Sequence, residues 1–253
     1  MTVTLTMYLI VCPLAFLAGF VDSVAGGGGL ISLPAYYLAG LSPVMAAGTN
    51  KLSACLGTLA ASLSFMKGGQ IIWKVALPAA AAALPGSWLG TTVLQHIPED
   101  AIRWMMIMAI PLVAAVVLRK KGGLQSKARV KDRLIPLCSL GVGLVIGFYD
   151  GLVGPGTGTF LILAFTMLMG VEAVHASGSA KIVNLASNVA SMITLAFSGQ
   201  VIWALGLPVA AFAIMGNLLG ARMTMKKGVG FIRGMLLCVM GLLLAKMLWD
   251  VVS

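Results

Sequence analysis

Seven acidic and seventeen basic side chains are spread over 253 residues, and most of them fall in connecting stretches. The exceptions are the residues able to do chemistry. Asp22, Asp150 and Glu172 adjoin long apolar segments, and Lys51 and Lys181 lie well inside them, while Arg222 and Lys246 are near enough to segment ends to snorkel outward. Ser42-Pro43 reads as a helix start with proline in the first turn. Counting from there at helical rise, Lys51 sits about 12 Å in, near the middle of a ~30 Å hydrocarbon core. Lys181 is equally deep if its helix opens near Val171. An ammonium at that depth costs at least ~2.5 kcal/mol on insertion scales, so each lysine must face a cavity or a counter-charge. Two roles stay open: a structural pair with Asp22 or Asp150 in each half, or a fixed positive charge for an anionic substrate. Both hold if substrate and carboxylate compete for the lysine.

Glycine supplies the second constellation. Asp22 is followed by Gly26, Gly27, Gly28 and Gly29, and the stretch from Asp150 to Gly158 repeats the theme with Gly154, Gly156, Thr157 and Gly158. Each loop precedes a short apolar stretch, Leu30–Ala39 or Thr159–Met169. Backbone amides at such a helix start carry partial positive charge and bind oxyanions without a basic side chain. Glycine also lets a backbone approach a ligand closely, although plain helix packing uses small residues too. Four glycines in a row beside an acid, duplicated later in the chain, exceed what packing requires and favour a binding site. Asp22 and Asp150 have two candidate roles, as proton carriers or as caps that accept amides of the glycine turn. Thr49, Asn50 and Ser179 precede the lysines and are candidate hydrogen-bonding partners for a substrate. Asn184 and Asn188 would serve the same end or link helices. His175 and Glu172 have no first-half counterpart and read as interfacial, with pH sensing as the alternative.

Other chemistries find no support. Neither glycine loop ends in Gly-Lys-Ser/Thr, and no βαβ context surrounds it, so a nucleotide loop is not indicated. Cys12, Cys55, Cys138 and Cys238 lie apart in apolar segments without a nearby histidine, which points to four small hydrophobes rather than a metal or disulfide framework. No nucleophile–base arrangement is visible, so neither an enzyme nor a cofactor is expected.

These residues need elements to hold them. The chain is 60% hydrophobic and 9% charged, against about 25% charged in soluble domains, which makes it an integral membrane protein. The net charge of +10 comes largely from loops and reports orientation rather than a nucleic-acid partner. The N-terminus has no basic region before its apolar run and reads as a first membrane helix rather than a cleaved signal. Apolar segments fall at 5–24, 30–40, 43–66, 71–96 and 100–118, then at 134–152, 159–170, 172–197, 201–224 and 230–249. The second of each five has about a dozen residues, too short for an upright span. At offsets of 128 and then 130, the halves match: Gly19, Asp22, Gly26 and Gly28 with Gly147, Asp150, Gly154 and Gly156, and Lys51, Gln70, Trp73 and Gly86 with Lys181, Gln200, Trp203 and Gly216. Equivalent loops have opposite basic bias. Lys67 and Lys74 flank one loop whose counterpart, Ser198 to Trp203, is uncharged, and the acidic loop of Glu99 and Asp100 corresponds to one holding Arg222, Lys226, Lys227 and Arg233. The expected fold is an all-α polytopic membrane protein of two inverted-topology repeats, about five hydrophobic segments each, with glycine-broken or re-entrant short helices. Residues 1–118 form the first repeat, 119–133 a basic cytoplasmic linker and 134–253 the second repeat, with both termini outside the cytoplasm. Ten spans, or six spans with two re-entrant pairs, satisfy this parity.

Gly19-x-x-Asp22-x-x-x-Gly26-Gly-Gly-Gly29 leading to Pro34, Ala47-Gly-Thr-Asn-Lys51, Gly154-Pro-Gly-Thr-Gly158 and Ser177-Gly-Ser-Ala-Lys181 together resemble the TauE/SafE (TSUP) family of sulfite exporters. The second glycine run departs from the family pattern at Pro155 and Thr157. The resemblance implies a multi-pass carrier in a prokaryotic inner (plasma) membrane that moves sulfite, thiosulfate or an organosulfonate. In this reading Lys51 and Lys181 neutralise the anion, Gly26–Gly29 with Gly154, Gly156, Thr157 and Gly158 present amides, and coupling runs to H+ or Na+. An anion channel, a carrier for a non-sulfur organic anion and a non-transporting scaffold are the alternatives.

Overall fold

The computed structural model describes residues 3–102, Trp104, Met105, Met108 and 130–252, with side chains described as far as Met235 except at Val229 and Arg233. Most of the expected fifth segment at 100–118 and most of the basic linker, including Arg119, Lys120, Lys121, Lys127 and Arg129, lie outside the described residues. So do the side chains of Cys238 and Lys246.

Among the described residues the regular structure is helical, with no strand. In chain order the helices are α1 (Leu5–Ala25), α2 (Gly29–Leu38), α3 (Pro43–Lys67), α4 (Trp73–Leu94), α5 (Ile135–Leu152), α6 (Thr157–Met169), α7 (Ala173–Phe197) and α8 (Trp203–Val252). Four stretches among the described residues are long and apolar enough to cross a membrane: Leu5–Ala25, Asp132–Leu152, Ala173–Phe197 and Trp203–Gly228. The short second segments form helices of 10 and 13 residues, α2 and α6. Helix α3 opens where proline dictates, with Ser42 extended (φ −65°, ψ 157°) and Pro43 in the first turn. Within α8 the last two expected segments are two helical stretches that meet at a kink at Gly228, whose φ of 67° and ψ of −155° suit glycine alone.

The two halves interlock. Helix α8 of the second half packs along α1 and across α3 of the first, whereas α4 of the first half packs along α5 and against α7 of the second. Two three-helix groups result, each built from both halves, and α3 meets α7 between them. Glycines let these helices approach closely. Gly86 of α4 lies against the Leu144 carbonyl of α5, and Gly216 of α8 lies against the Phe16 carbonyl of α1, with no room for a β-carbon at either place. Hydroxyls cross between halves as well. Thr49 Oγ1 accepts the Ile202 amide at 3.1 Å and Ser179 Oγ accepts the Ile72 amide at 3.0 Å, satisfying orphan donors ahead of α8 and α4. A buried chain of Ser87, Ser191 and Thr91, with oxygens 2.7 Å apart, ties α4 to α7. Outward faces carry lipid-compatible side chains, and Trp73 and Trp203 are both 49% exposed at the starts of their helices, as interfacial anchors would be.

His175 and Glu172 form a half-exposed pair, Nδ1 to Oε2 2.8 Å, at the start of α7. Partial burial pushes the Glu172 carboxyl up, but the His175 ring and the amides of Val174 and His175 outweigh it and hold the group below the usual carboxylate range. A depressed carboxyl contributes stability above its unfolded pKa and loses it as pH falls through the folded value, and at this exposure the contribution is small.

The glycine loops also cross too closely for a side chain. A β-carbon on Gly158 would lie 2.5 Å from the Gly26 α-carbon, and Gly26 itself has φ 74°. Gly158→Ala is therefore expected to destabilise by about 1–3 kcal/mol through overpacking. Gly141→Ala, where nothing lies within 4 Å, should leave stability unchanged or slightly raised through helix propensity. Thermal unfolding of both variants in one detergent checks the contrast.

Candidate functional site

Lys51 approaches from α3 and Lys181 from α7, and each is neutralised by an acid from the other half of the chain. Lys51 Nζ donates to Asp150 Oδ2 at 2.7 Å, and Lys181 Nζ donates to Asp22 Oδ2 at 2.5 Å. The expected pairing within each half is thus replaced by a crossed pairing. The physical reason is the contact of Gly26 with Gly158, sealed by Thr159 Oγ1 donating to the Ala25 carbonyl at 2.6 Å. Once the loops cross, the acid preceding each loop lies beside the lysine helix of the opposite half. Neither carboxylate accepts a backbone amide among the described residues; the Gly26 amide bonds the main-chain carbonyl of Asp22 at 2.9 Å instead.

The two pairs differ in surroundings. Asp150 is held by three donors: Lys51, Ser187 Oγ at 2.7 Å on Oδ2, and Thr157 Oγ1 at 2.8 Å on Oδ1. Lys51 has a second acceptor in Asn188 Oδ1 at 3.0 Å, and Asn188 Nδ2 reaches Asn184 Oδ1 at 3.3 Å. Lys181 has no hydrogen bond besides Asp22 among the described residues, and its side chain is 1% exposed.

A cavity of about 70 Å³ opens between the helix groups. One water needs roughly 10–15 Å³ on this measure, so the space suits a small oxyanion with a few waters and not a bulky solute. Its wall includes Lys51, Asn50, Asp150 and Asp22, together with Asn184, Asn188 and Asn217. Gly26, Gly28 and Gly29 of the first loop and Gly154, Thr157 and Gly158 of the second complete it. The amides of Gly28, Gly29 and Gly158 have no backbone acceptor among the described residues, and helix starts of this kind favour negative charge. Asn50, only 8% exposed, lines the cavity with no hydrogen bond to its side chain among the described residues.

Several candidate residues stand off this wall. Lys181, Thr49, Ser179, Gly27 and Gly156 do not line the cavity, and the Thr49 and Ser179 hydroxyls are engaged with helix starts. Asn217, by contrast, lines it and was not a candidate from sequence. Its amide accepts from Ser23 Oγ at 2.8 Å and donates to the Ala213 carbonyl. The available signal was an amide alone in the middle of an apolar run. The cavity is also lopsided: Leu94 and Leu195 line it, whereas the residues at matching repeat positions, Thr224 and Phe65, do not.

Removing one member of a buried pair leaves an uncompensated charge, at a cost of about 3–5 kcal/mol. Lys181→Ala should show that loss, and the double variant Lys181→Gln with Asp22→Asn should recover most of it. Thermal unfolding of the single and double variants checks this, and an additive double variant would contradict the pairing.

Known proteins match this chain over nearly its full length. The family model described as "Sulfite exporter TauE/SafE" matches residues 11–247. A "Probable membrane transporter protein" of Haemophilus influenzae is 36% identical over 256 residues, covering 99% of this chain and 98% of its own. The "Probable membrane transporter protein YfcA" of Escherichia coli K12 is 36% identical over 237 residues, covering 93% of this chain and 87% of its own. A Bacillus subtilis relative, "Probable membrane transporter protein YdhB", is 24% identical over 226 residues, with 88% and 90% covered. No solved structure matches.

Proposed function

The chain belongs to the TauE/SafE sulfite exporter family of membrane transporters, and from that premise we propose that it is a secondary carrier of a small sulfur-containing anion such as sulfite, thiosulfate or a small organosulfonate. The observation that carries the reading is the convergence of Lys51, the unpartnered Asn50 amide and the glycine-loop amides of both halves on one small cavity. A lysine supplies charge, and fixed amides supply directional donors to the oxygens of a sulfur oxyanion. Gly26, Gly28, Gly29, Gly154, Thr157, Gly158, Asn50 and Lys51 contact the anion in this reading. Gly27, Gly156, Thr49, Ser179 and Lys181 hold the site from behind.

Transport proceeds by alternating access, with one helix group moving against the other around the glycine crossing. The two halves are inverted repeats of five segments, joined by a cytoplasmic linker at 119–133 in a prokaryotic inner membrane, with both termini on the opposite side. The opposite basic bias of equivalent loops supports this, as do the contacts that recur at equivalent positions, Thr49 with Ile202 and Ser179 with Ile72 among them. That Leu195 lines the cavity and its counterpart Phe65 does not is in keeping with a site open toward one side at a time.

The test is uptake of labelled thiosulfate into proteoliposomes, competed with sulfite, sulfate, taurine, sulfoacetate and lactate. Sulfite and at least one small sulfonate are expected to compete, and Lys51→Met should cut uptake more than tenfold. Competition by lactate alone, with none by a sulfur oxyanion, would overturn the substrate class.

A further inference from the structure

We infer that the anion enters this site together with a proton, and that Asp150 is the group that takes it. The inference rests on the anion-carrier reading and adds the coupling ion and its acceptor. Its starting point is the charge of the cavity wall. Lys51 is the one cation on it among the described residues, and it is already paired with Asp150, while Asp22 adds a second carboxylate. Lys181, which balances Asp22, stands behind the wall. An arriving anion therefore meets two negative groups and a lysine already engaged. Like charges in a poorly solvated space repel strongly, so the site becomes attractive to an anion only when one carboxylate is neutralised.

The hydrogen-bond geometry selects Asp150. Each group that holds its anionic form has another acceptor in reach. Thr157 Oγ1 lies 2.7 Å from the Gly154 carbonyl, Ser187 Oγ lies 3.0 Å from the Asn184 carbonyl, and Lys51 Nζ keeps Asn188 Oδ1 at 3.0 Å. When a hydronium ion from the solvent gives its proton to an Asp150 carboxylate oxygen and departs as water, the two hydroxyls turn to these carbonyls. Lys51 stays on the wall through Asn188 with its charge turned to the substrate. No bond other than the new O–H forms, and the proton leaves with the anion when Asp150 recaptures the lysine. Asp22 lacks these provisions. Protonating it would strand Lys181, 1% exposed and without a second acceptor among the described residues, which is the costly outcome for a buried ion pair.

The remaining neighbours bring no further buried charge, and Asp132 and Arg133, in the 3-10 turn packed against α5, are exposed. Helix α4, packed along α5, reaches the Asp150 region through Thr91 Oγ1 on the Gly151 carbonyl, and its single ionisable side chain, Lys74, is exposed at its start. Helix α6 has no ionisable side chain, and α7 brings only Lys181, while His175 pairs with Glu172 at its exposed end.

Calorimetric binding of methanesulfonate, whose charge is fixed across neutral pH, tests the idea on the purified full chain in buffers of differing protonation enthalpy. Wild type is expected to take up one proton per anion bound, with affinity weakening about tenfold per pH unit on the alkaline limb. Asp150→Asn should bind without proton uptake. If Asp150→Asn does not fold, Ser187→Ala, which removes a donor to the carboxylate, should move the loss of affinity to higher pH. Wild-type binding without proton uptake, or unchanged uptake in Asp150→Asn, would overturn the inference while leaving the carrier intact. Binding of neither methanesulfonate nor thiosulfate at any pH would instead overturn the anion-carrier reading on which it rests.

Discussion

Charge cannot be left alone in a helical protein that spans hydrocarbon, and two lysines set within apolar helices make that constraint dominant. Each is paired with a carboxylate from the opposite half, Lys51 with Asp150 and Lys181 with Asp22. The rest of the arrangement follows from making those pairs reachable. The loops must cross at Gly26 and Gly158, where only glycine fits. The helices after them must be short, because α2 and α6 begin partway through the structure instead of at an edge. α3 and α7 must meet between the two mixed helix groups so that each lysine reaches across.

Much of this arrangement was legible in the chain. Pro43 fixed the start of α3 and therefore how far along that helix Lys51 lies, since helical rise converts residue count into distance. The glycine runs marked the breaks because no other residue tolerates a φ of 74° at Gly26 or 92° at Gly154 so readily. The partner of each lysine was not legible, because periodicity and composition describe one segment at a time and the pairing depends on how two loops cross. The same holds for Thr49 and Ser179. A hydroxyl beside a lysine reads as a ligand donor, yet here each caps a helix start in the opposite half. Asn217 escaped for the opposite reason, as a lone amide with no motif around it.

The near-equivalence of the halves stops short of the cavity. Lys51 and Asn50 line it, whereas Lys181 and Ala180, their counterparts, are almost completely buried. Asn184 and Asn188 correspond to Ala54 and Thr58 in the first half, so the amide side chains are concentrated beside one lysine. Thr58 itself is buried without a hydrogen-bond partner among the described residues. Duplication supplied a common scaffold, and substitution within it has made one side rich in donors and the other dry.

The crossed ion pairs also bear on how such a chain is made. Synthesis runs from the N-terminus, so Asp22 and Lys51 are inserted before either of their final partners exists. Each buried charge of the first half carries an insertion cost of about 2.5–3.5 kcal/mol until α5 and α7 arrive. The first half is therefore an unfinished object in the bilayer, and its completion is timed by translation of the second. The same pairing gives the two halves a reason to remain on one polypeptide, since in the folded chain each lysine finds its carboxylate in the other half.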